Sequence, residues 1–177
     1  MTDAAAPLPL AAIVYSGHGF ANELLTAFAF GLLKDGWQVQ GLVQQQFGGR
    51  SKSHAMLVDL SDGQRFPLFQ NLGTGSSACS LDQTSVAAAS AALRRALQQR
   101  PDLAVANRFG ALEAEGGGLV AEMLELVAEG VPLITVVSQD YLPNWRAVTG
   151  RAGVELAPSM EALRHWFAGI GQEFRPS

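Results

Sequence analysis

Three short segments hold the residue types that do chemistry. Ser16-Gly17-His18-Gly19 follows an apolar run and precedes Asn22. Asn107-Arg108-Phe109-Gly110 follows a second apolar run and precedes Glu113, Glu115 and Gly116-Gly117-Gly118. Ser138-Gln139-Asp140 follows a third, with Tyr141 and Trp145 close behind. A further polar stretch from Thr74 to Asp82 carries Ser76, Ser77 and Cys79. A glycine loop that opens a helix aims free backbone N–H groups and the positive helix end at one point, which suits an anion. His18 lies inside such a loop, where its donor strength would follow pH. Asn107 and Arg108 pair an amide with a guanidinium, a poor magnesium site and a good oxyanion site. The candidate anion-binding set is therefore Gly17, His18, Gly19, Asn22, Ser76, Ser77, Asn107 and Arg108, with Glu113 as candidate acid or base.

Each of these segments also reads without a ligand. The glycine loop is equally a tight strand–helix turn, and His18 a surface histidine. Glu113 and Glu115 precede a helix, where acids complement the dipole. The Thr74 to Asp82 stretch reads as a surface loop, Cys79 as a small buried thiol, and Trp145 as a packing residue.

What is missing narrows the chemistry. A P-loop reads G-x-x-x-x-G-K-[ST], with Lys on the phosphates and Ser/Thr on magnesium. Setting Leu24-Leu25 on the hydrophobic pair that follows that motif puts Ala21 at the Lys position and Asn22 at the Ser/Thr position. Assisted phosphoryl transfer then lacks its cation and its metal ligand. No Ser or Cys has a visible partner base. His18, His54 and His165 have no metal-binding spacing, and Cys79 is the single cysteine, so neither a metal site nor a disulfide within the chain is expected.

The elements that must position these residues follow from apolar periodicity. Leu10 to Tyr15 reads as a buried strand. Leu24, Leu25, Phe28 and Leu32 recur at helical spacing until Gly36, and Trp37 to Val43 reads as a second strand. His54 to Leu60 and Arg65 to Phe69 flank Asp62-Gly63, a hairpin signal. Gln44 to Lys52 and Gln70 to Ser80 are expected as loops. Asp82 is expected to cap a helix to Gln99 with Val86, Ala89, Leu93, Ala96 and Leu97 inward. Leu103 to Ala106 and Val131 to Val137 are apolar strands, with a helix from Leu119 to Glu129 between them. A short helix over Pro143 to Val148 and an edge strand over Val154 to Leu156 follow. Ser159 then caps a last helix that turns Met160, Leu163, Trp166 and Phe167 inward. Unalternating strands separated by helices predict one α/β domain over 10–170. It is a three-layer α/β/α sandwich with a mostly parallel sheet and an added β-hairpin. Residues 1–9 read as a flexible leader and 171–177 as a tail.

Composition sets the class. The 177 residues are 48% hydrophobic and 16% charged, with a net charge of −4. An average soluble domain carries roughly 25% charged residues. The chain is too apolar to be disordered, and its acidic balance excludes a general nucleic-acid binder. No apolar run reaches the roughly 18 residues that span a bilayer, so a cytoplasmic protein without membrane insertion is expected. A charge-poor surface leaves room for an apolar patch and a homodimer.

Six stretches together resemble a known family. They are Leu24-Leu25 after the glycine loop, Gly41-Leu42-Val43-Gln44, Cys79-Ser80-Leu81-Asp82, Pro101-Asp102-Leu103, Asn107-Arg108-Phe109-Gly110 with Glu113 and Glu115-Gly116, and Val131-Pro132-Leu133. The pattern, from Ala11 to Phe167, resembles a bacterial family of unknown function encoded near molybdate-transport genes and related to the P-loop nucleoside triphosphatases. The family's commoner form is Asn-Lys-Phe-Gly, so Arg108 keeps the charge. The resemblance implies a P-loop-like fold and a context in molybdenum or tungsten metabolism, with transport or cofactor-assembly proteins as partners. Joined to the charge-poor glycine loops, it suggests molybdate or tungstate as ligand, bound without nucleotide hydrolysis. A nucleotide-binding or weakly hydrolysing relative, and a non-catalytic partner-binding module, stay open beside it.

Overall fold

The computed structural model describes residues 8–17, 20–47, 55–71, 79–81 and 83–173. Among the described residues, His18, Gly19, Ser76, Ser77 and the expected cap Asp82 are not included. Strand β1, Leu10–Tyr15, is the hydrophobic run Leu-Ala-Ala-Ile-Val-Tyr. It has no polar alternation because both faces are covered: Leu10 and Ala12 join one core cluster, Ala11 and Ile13 the other. Helix α1, Ala21–Lys34, turns Leu25, Phe28, Ala29 and Leu32 onto the second cluster, and Gly36 ends the unit at φ +93°. Strand β2, Val39–Gln46, runs three residues past the expected Val43. Antiparallel pairing with β3, Ala55–Asp59, continues through Gln44↔Leu57, Gln45↔Met56 and Gln46↔Ala55, so backbone ladder bonds carry the glutamines into the sheet.

Strand β4, Arg65–Pro67, completes the hairpin across Gly63, whose φ of +77° suits the turn. The region expected as a loop from Gln70 to Ser80 is corrected in part: β5, Phe69–Asn71, pairs antiparallel with β6, Cys79–Leu81. Three-residue strands leave almost no periodic signal, and the Gly and Ser between them mask what there is. Helix α2, Gln83–Gln99, leads to β7, Leu103–Val105. After β7 come α3, Ala111–Ala114, and α4, Val120–Ala128, then β8, Leu133–Ser138. The four-residue α3 was not expected. A 3-10 turn over Gln139–Tyr141 precedes α5, Leu142–Thr149, followed by β9, Val154–Leu156, and α6, Met160–Glu173. Ser159 accepts the Ala162 N–H at 3.2 Å, the expected cap of α6.

The main sheet has seven strands in the order β4-β3-β2-β7-β8-β1-β9. Pairs from β2 to β9 are parallel, and the β3–β4 hairpin extends the sheet antiparallel beyond β2. Helices α2, α4 and α5 bring Leu93, Met123, Leu126 and Trp145 to one face. Helices α1 and α6 bring Phe28, Leu163 and Phe167 to the other. Trp37 and Phe28 both meet the Phe167 ring edge to face, at 5.1 and 6.1 Å. This is the α/β/α sandwich expected from the strand–helix alternation. No helix of the described residues is long and apolar enough to cross a membrane.

Candidate functional site at the end of strand β7

The parallel strands β1, β7 and β8 end on the same side of the sheet. Tyr15 stands opposite Ser138, and beyond β7 Phe109 bridges to Val137. Gly17 and Asn107 therefore both leave the sheet at its carboxyl edge, where ligands bind in folds of this kind. Strand β8 lies between β1 and β7, which sets their ends two strand spacings apart, about 10 Å.

At β1, Gly17 takes φ +67°, a left-handed turn that glycine adopts without strain. Phe20 stands at the helix cap without a capping side chain and is 81% exposed. Ala21 is buried in the first turn. Among the described residues, the buried Asn22 Oδ1 has no hydrogen-bond partner, and the Asn22 carbonyl accepts from the Thr26 hydroxyl at 2.8 Å. The adjacent Glu23 adds an acid to the same turn.

At β7 the geometry is more closed. Asn107 is 4% exposed and Arg108 is half-buried. Among the described residues neither side chain has a hydrogen-bond or ion-pair partner. Both line a cleft of about 210 Å³. The Arg108 side chain lies along Gly110: a Cβ there would stand 3.1 Å from Nε. Leu57 of β3, Leu68 after β4 and Val86 of α2 form apolar walls, with Leu112 of α3 and Leu119 before α4. The added hairpin thus supplies part of the cleft, on the side of β7 away from β1. Gly17 and Asn22 are not among its lining residues.

Glu113 also borders the cleft, but its oxygens are engaged. Oε2 accepts the Gly110 N–H at 3.1 Å and Oε1 accepts the Leu119 N–H at 3.3 Å. The first contact caps α3, and the second ties the start of α4 to it. Gly118, at φ +57°, passes so close that an added Cβ would lie 2.5 Å from Oε1. At 7% exposure, Glu113 clamps the 110–119 segment and leaves no carboxylate oxygen unengaged for proton transfer.

The remaining expectations separate cleanly. Trp145 packs edge to face on Phe109 at 5.3 Å, in the core rather than over a ligand. Ser138 caps the 3-10 turn by accepting the Asp140 N–H at 3.3 Å. No group of three His, Cys, Asp or Glu among the described residues has the placement to hold a metal. The apolar cleft walls were missed by sequence reasoning, as was an ion pair at 2.8 Å between the buried Asp59 and the partly exposed Arg95. Asp59 follows an apolar run, a hint of partial burial. Its partner lies 36 positions away on α2.

The fold defines a class, the α/β proteins with a mostly parallel sheet between layers of helices. The structure superposes on the crystal structure of THEP1 from the hyperthermophile Aquifex aeolicus with TM-score 0.64 and 11% identity. It superposes on the solution structure of a human cancer-related nucleoside triphosphatase with TM-score 0.57 and 19% identity. Each alignment covers 93% of this chain and 99% of the other, and at these identities it is the fold that is shared. Within that class the chain belongs to DUF2478, a family of proteins of unknown function, whose pattern it matches over residues 10–166. It is also 33% identical over 163 residues to the molybdenum import ATP-binding protein ModC 2 of Bradyrhizobium diazoefficiens. That match covers 91% of this chain and 18% of the relative, so the chain spans less than a fifth of that protein's length.

Proposed function

We propose that this protein binds a tetrahedral oxyanion, molybdate or tungstate, and holds it without hydrolysing nucleotide. The observation that carries the reading is that Asn107 and Arg108, whose side chains have no partner among the described residues, line the cleft at the end of β7. A guanidinium and an amide donate several hydrogen bonds to one oxyanion, and a charge-assisted bond is roughly twice as strong as a neutral one. Three further points support it. Ala21 offers a methyl group where a P-loop would place its phosphate-binding lysine, and Asn22 replaces the magnesium-binding hydroxyl. The Glu113 oxygens are turned to backbone amides. The ModC 2 relative is named for molybdenum import. Gly17 and Asn22 do not line this cleft, so the side chains proposed to hold the anion there are Asn107 and Arg108, and the protein passes its anion to transport or cofactor-assembly proteins.

Calorimetry on the full chain with molybdate, tungstate and sulfate tests this. The expected result is binding of the first two, weakened about tenfold or more in Arg108→Gln. No heat with any anion, or an unchanged affinity in that variant, overturns it. A nucleotide-binding reading has one observation in its favour, the ATP-binding description of the same relative. Magnesium-dependent phosphate release from ATP, abolished by Glu113→Gln, would put that reading in place of the first.

A further inference from the structure

We propose that the β7 cleft takes an organic anion, an apolar body about the size of a ring system carrying one anionic end. This rests on the reading that Asn107 and Arg108 bind an anion, and it names what stands behind that anion. The cleft holds about 210 Å³. An apolar cavity of about 150 Å³ accommodates a benzene ring, so this volume exceeds what one tetrahedral oxyanion fills. An oxyanion held by Asn107 and Arg108 leaves the apolar walls unused. Leu57, Leu68, Val86, Leu112 and Leu119 offer it no hydrogen bond, and stripping water from an ion against aliphatic groups is costly. The side-chain donors come from two consecutive residues, Asn107 and Arg108. Ligand sites for small organic molecules have this composition, mostly apolar walls with a few convergent polar groups.

The order of the groups sets the ligand's orientation. Arg108 is half-buried, so the anionic end lies at the rim, where water completes its shell. The Glu113 carboxylate also lines the cleft and repels a second negative charge from the interior. Its two oxygens accept from Gly110 and Leu119, which keeps it fixed there. A monoanionic or dianionic head with an uncharged apolar body meets both conditions. Phosphate and carboxylate heads present the same chemistry to Asn107 and Arg108, and the experiment separates them.

Ala111 makes the test possible, because it lines the cleft yet is exposed on α3. Ala111→Phe is expected to fill the cleft without disturbing the core, and Ala111→Leu to fill it less. Calorimetry on the full chain compares 2-naphthyl phosphate, 2-naphthoate, 2-naphthol, inorganic phosphate and molybdate. The naphthyl anion whose head matches should bind about 30-fold tighter than inorganic phosphate, from the apolar area it buries. That advantage should shrink in Ala111→Leu and vanish in Ala111→Phe. Arg108→Gln should weaken the naphthyl anion and leave 2-naphthol unaffected. Naphthyl anions no tighter than phosphate, or an advantage that survives Ala111→Phe, overturn the proposal. If molybdate still binds in that case, the oxyanion reading stands without an organic ligand. A naphthyl anion bound in an Ala111-sensitive way with no molybdate binding supports the organic anion and removes the oxyanion reading.

Discussion

A Cβ on Gly118 would stand 2.5 Å from Glu113 Oε1, so a side chain at 118 must displace the carboxylate end of the clamp. Glu113 fixes the loop by accepting the Gly110 and Leu119 amides in a buried setting. Removing it leaves both N–H groups without that acceptor, at roughly 1–3 kcal/mol for each unsatisfied buried group. Glu113→Ala is therefore expected to destabilise the fold by about 2–6 kcal/mol in urea unfolding. Gly118→Ala should lose a similar amount while keeping the carboxylate, since it displaces Oε1 and strains a left-handed backbone. If Gly118→Ala unfolds like wild type, the clamp is not what holds the segment.

Arg95 and Asp59 join α2 to the β3–β4 hairpin. Arg95 NH1 donates to Asp59 Oδ2 at 2.8 Å and to Ser61 Oγ at 2.9 Å. Asp59 Oδ1 accepts the Ser61 amide and hydroxyl at 2.9 and 2.7 Å. Asp59 is almost fully buried, whereas the Arg95 side chain is 37% exposed, so solvent screens part of the attraction. A double-mutant cycle of Asp59→Asn and Arg95→Gln should give a coupling of about 1 kcal/mol. Arg95→Gln alone should cost more than an exposed pair does, because it strands a buried carboxylate. A coupling within error of zero would show that the hairpin is held by packing alone. Because the hairpin carries Leu57 and Leu68, loss of the pair should also widen the cleft and weaken any ligand in it.

The guanidinium of Arg146 on α5 forks onto Glu155 of β9, with Nε to Oε2 at 3.0 Å and NH2 to Oε1 at 2.6 Å. That hydrogen bonding, with the Arg146 charge behind it, holds the Glu155 carboxyl below its ordinary value of 4.5. A carboxyl whose folded pKa is lowered contributes stability that is present above the unfolded pKa. The contribution fades as pH falls through the folded value. The melting-temperature gap between wild type and Glu155→Gln should therefore be open near neutral pH and close on acidification below the ordinary carboxylate range. The pair is solvent-exposed, so added salt should also narrow the gap. A gap that widens toward acid would reverse the assigned sign.

The strands and long helices were legible because burial leaves a mark on sequence. Leu10 to Tyr15 has no polar residue because helices cover it on both sides, and the Leu25, Phe28 and Leu32 spacing is that of a helix on a sheet. Gly41 shows what such marks leave out. In β2 it takes φ +118°, and a Cβ there would meet the Val105 carbonyl oxygen at 2.0 Å. Nothing local to Gly41 says that β7 passes this closely. The site was legible in the same partial way. The rule that ligands meet strand ends pointed to Asn107 and Arg108, which line the cleft. The walls facing them come from Leu57, Leu68 and Val86, brought in by the hairpin and α2. Which side of the sheet an inserted hairpin covers is decided by long-range packing, and local periodicity does not encode it.

Gly110 separates the shape of the proposed anion site from its charge. Its backbone, at φ −121°, is one that any residue adopts, so a methyl group there causes no backbone strain. The methyl would press instead on Arg108, standing 3.1 Å from Nε and 3.4 Å from NH2. Gly110→Ala should therefore move the guanidinium by a few tenths of an ångström while keeping its charge and the fold. A hydrogen bond weakens with small changes in distance and angle, whereas a long-range charge effect does not. Molybdate affinity in Gly110→Ala should fall severalfold, between wild type and Arg108→Gln, with an unchanged melting temperature in the absence of ligand. Arg108→Lys should behave alike, since it keeps the charge and loses the planar fork. Wild-type affinity in both variants would mean that Arg108 attracts the anion only through its charge, without direct hydrogen bonds.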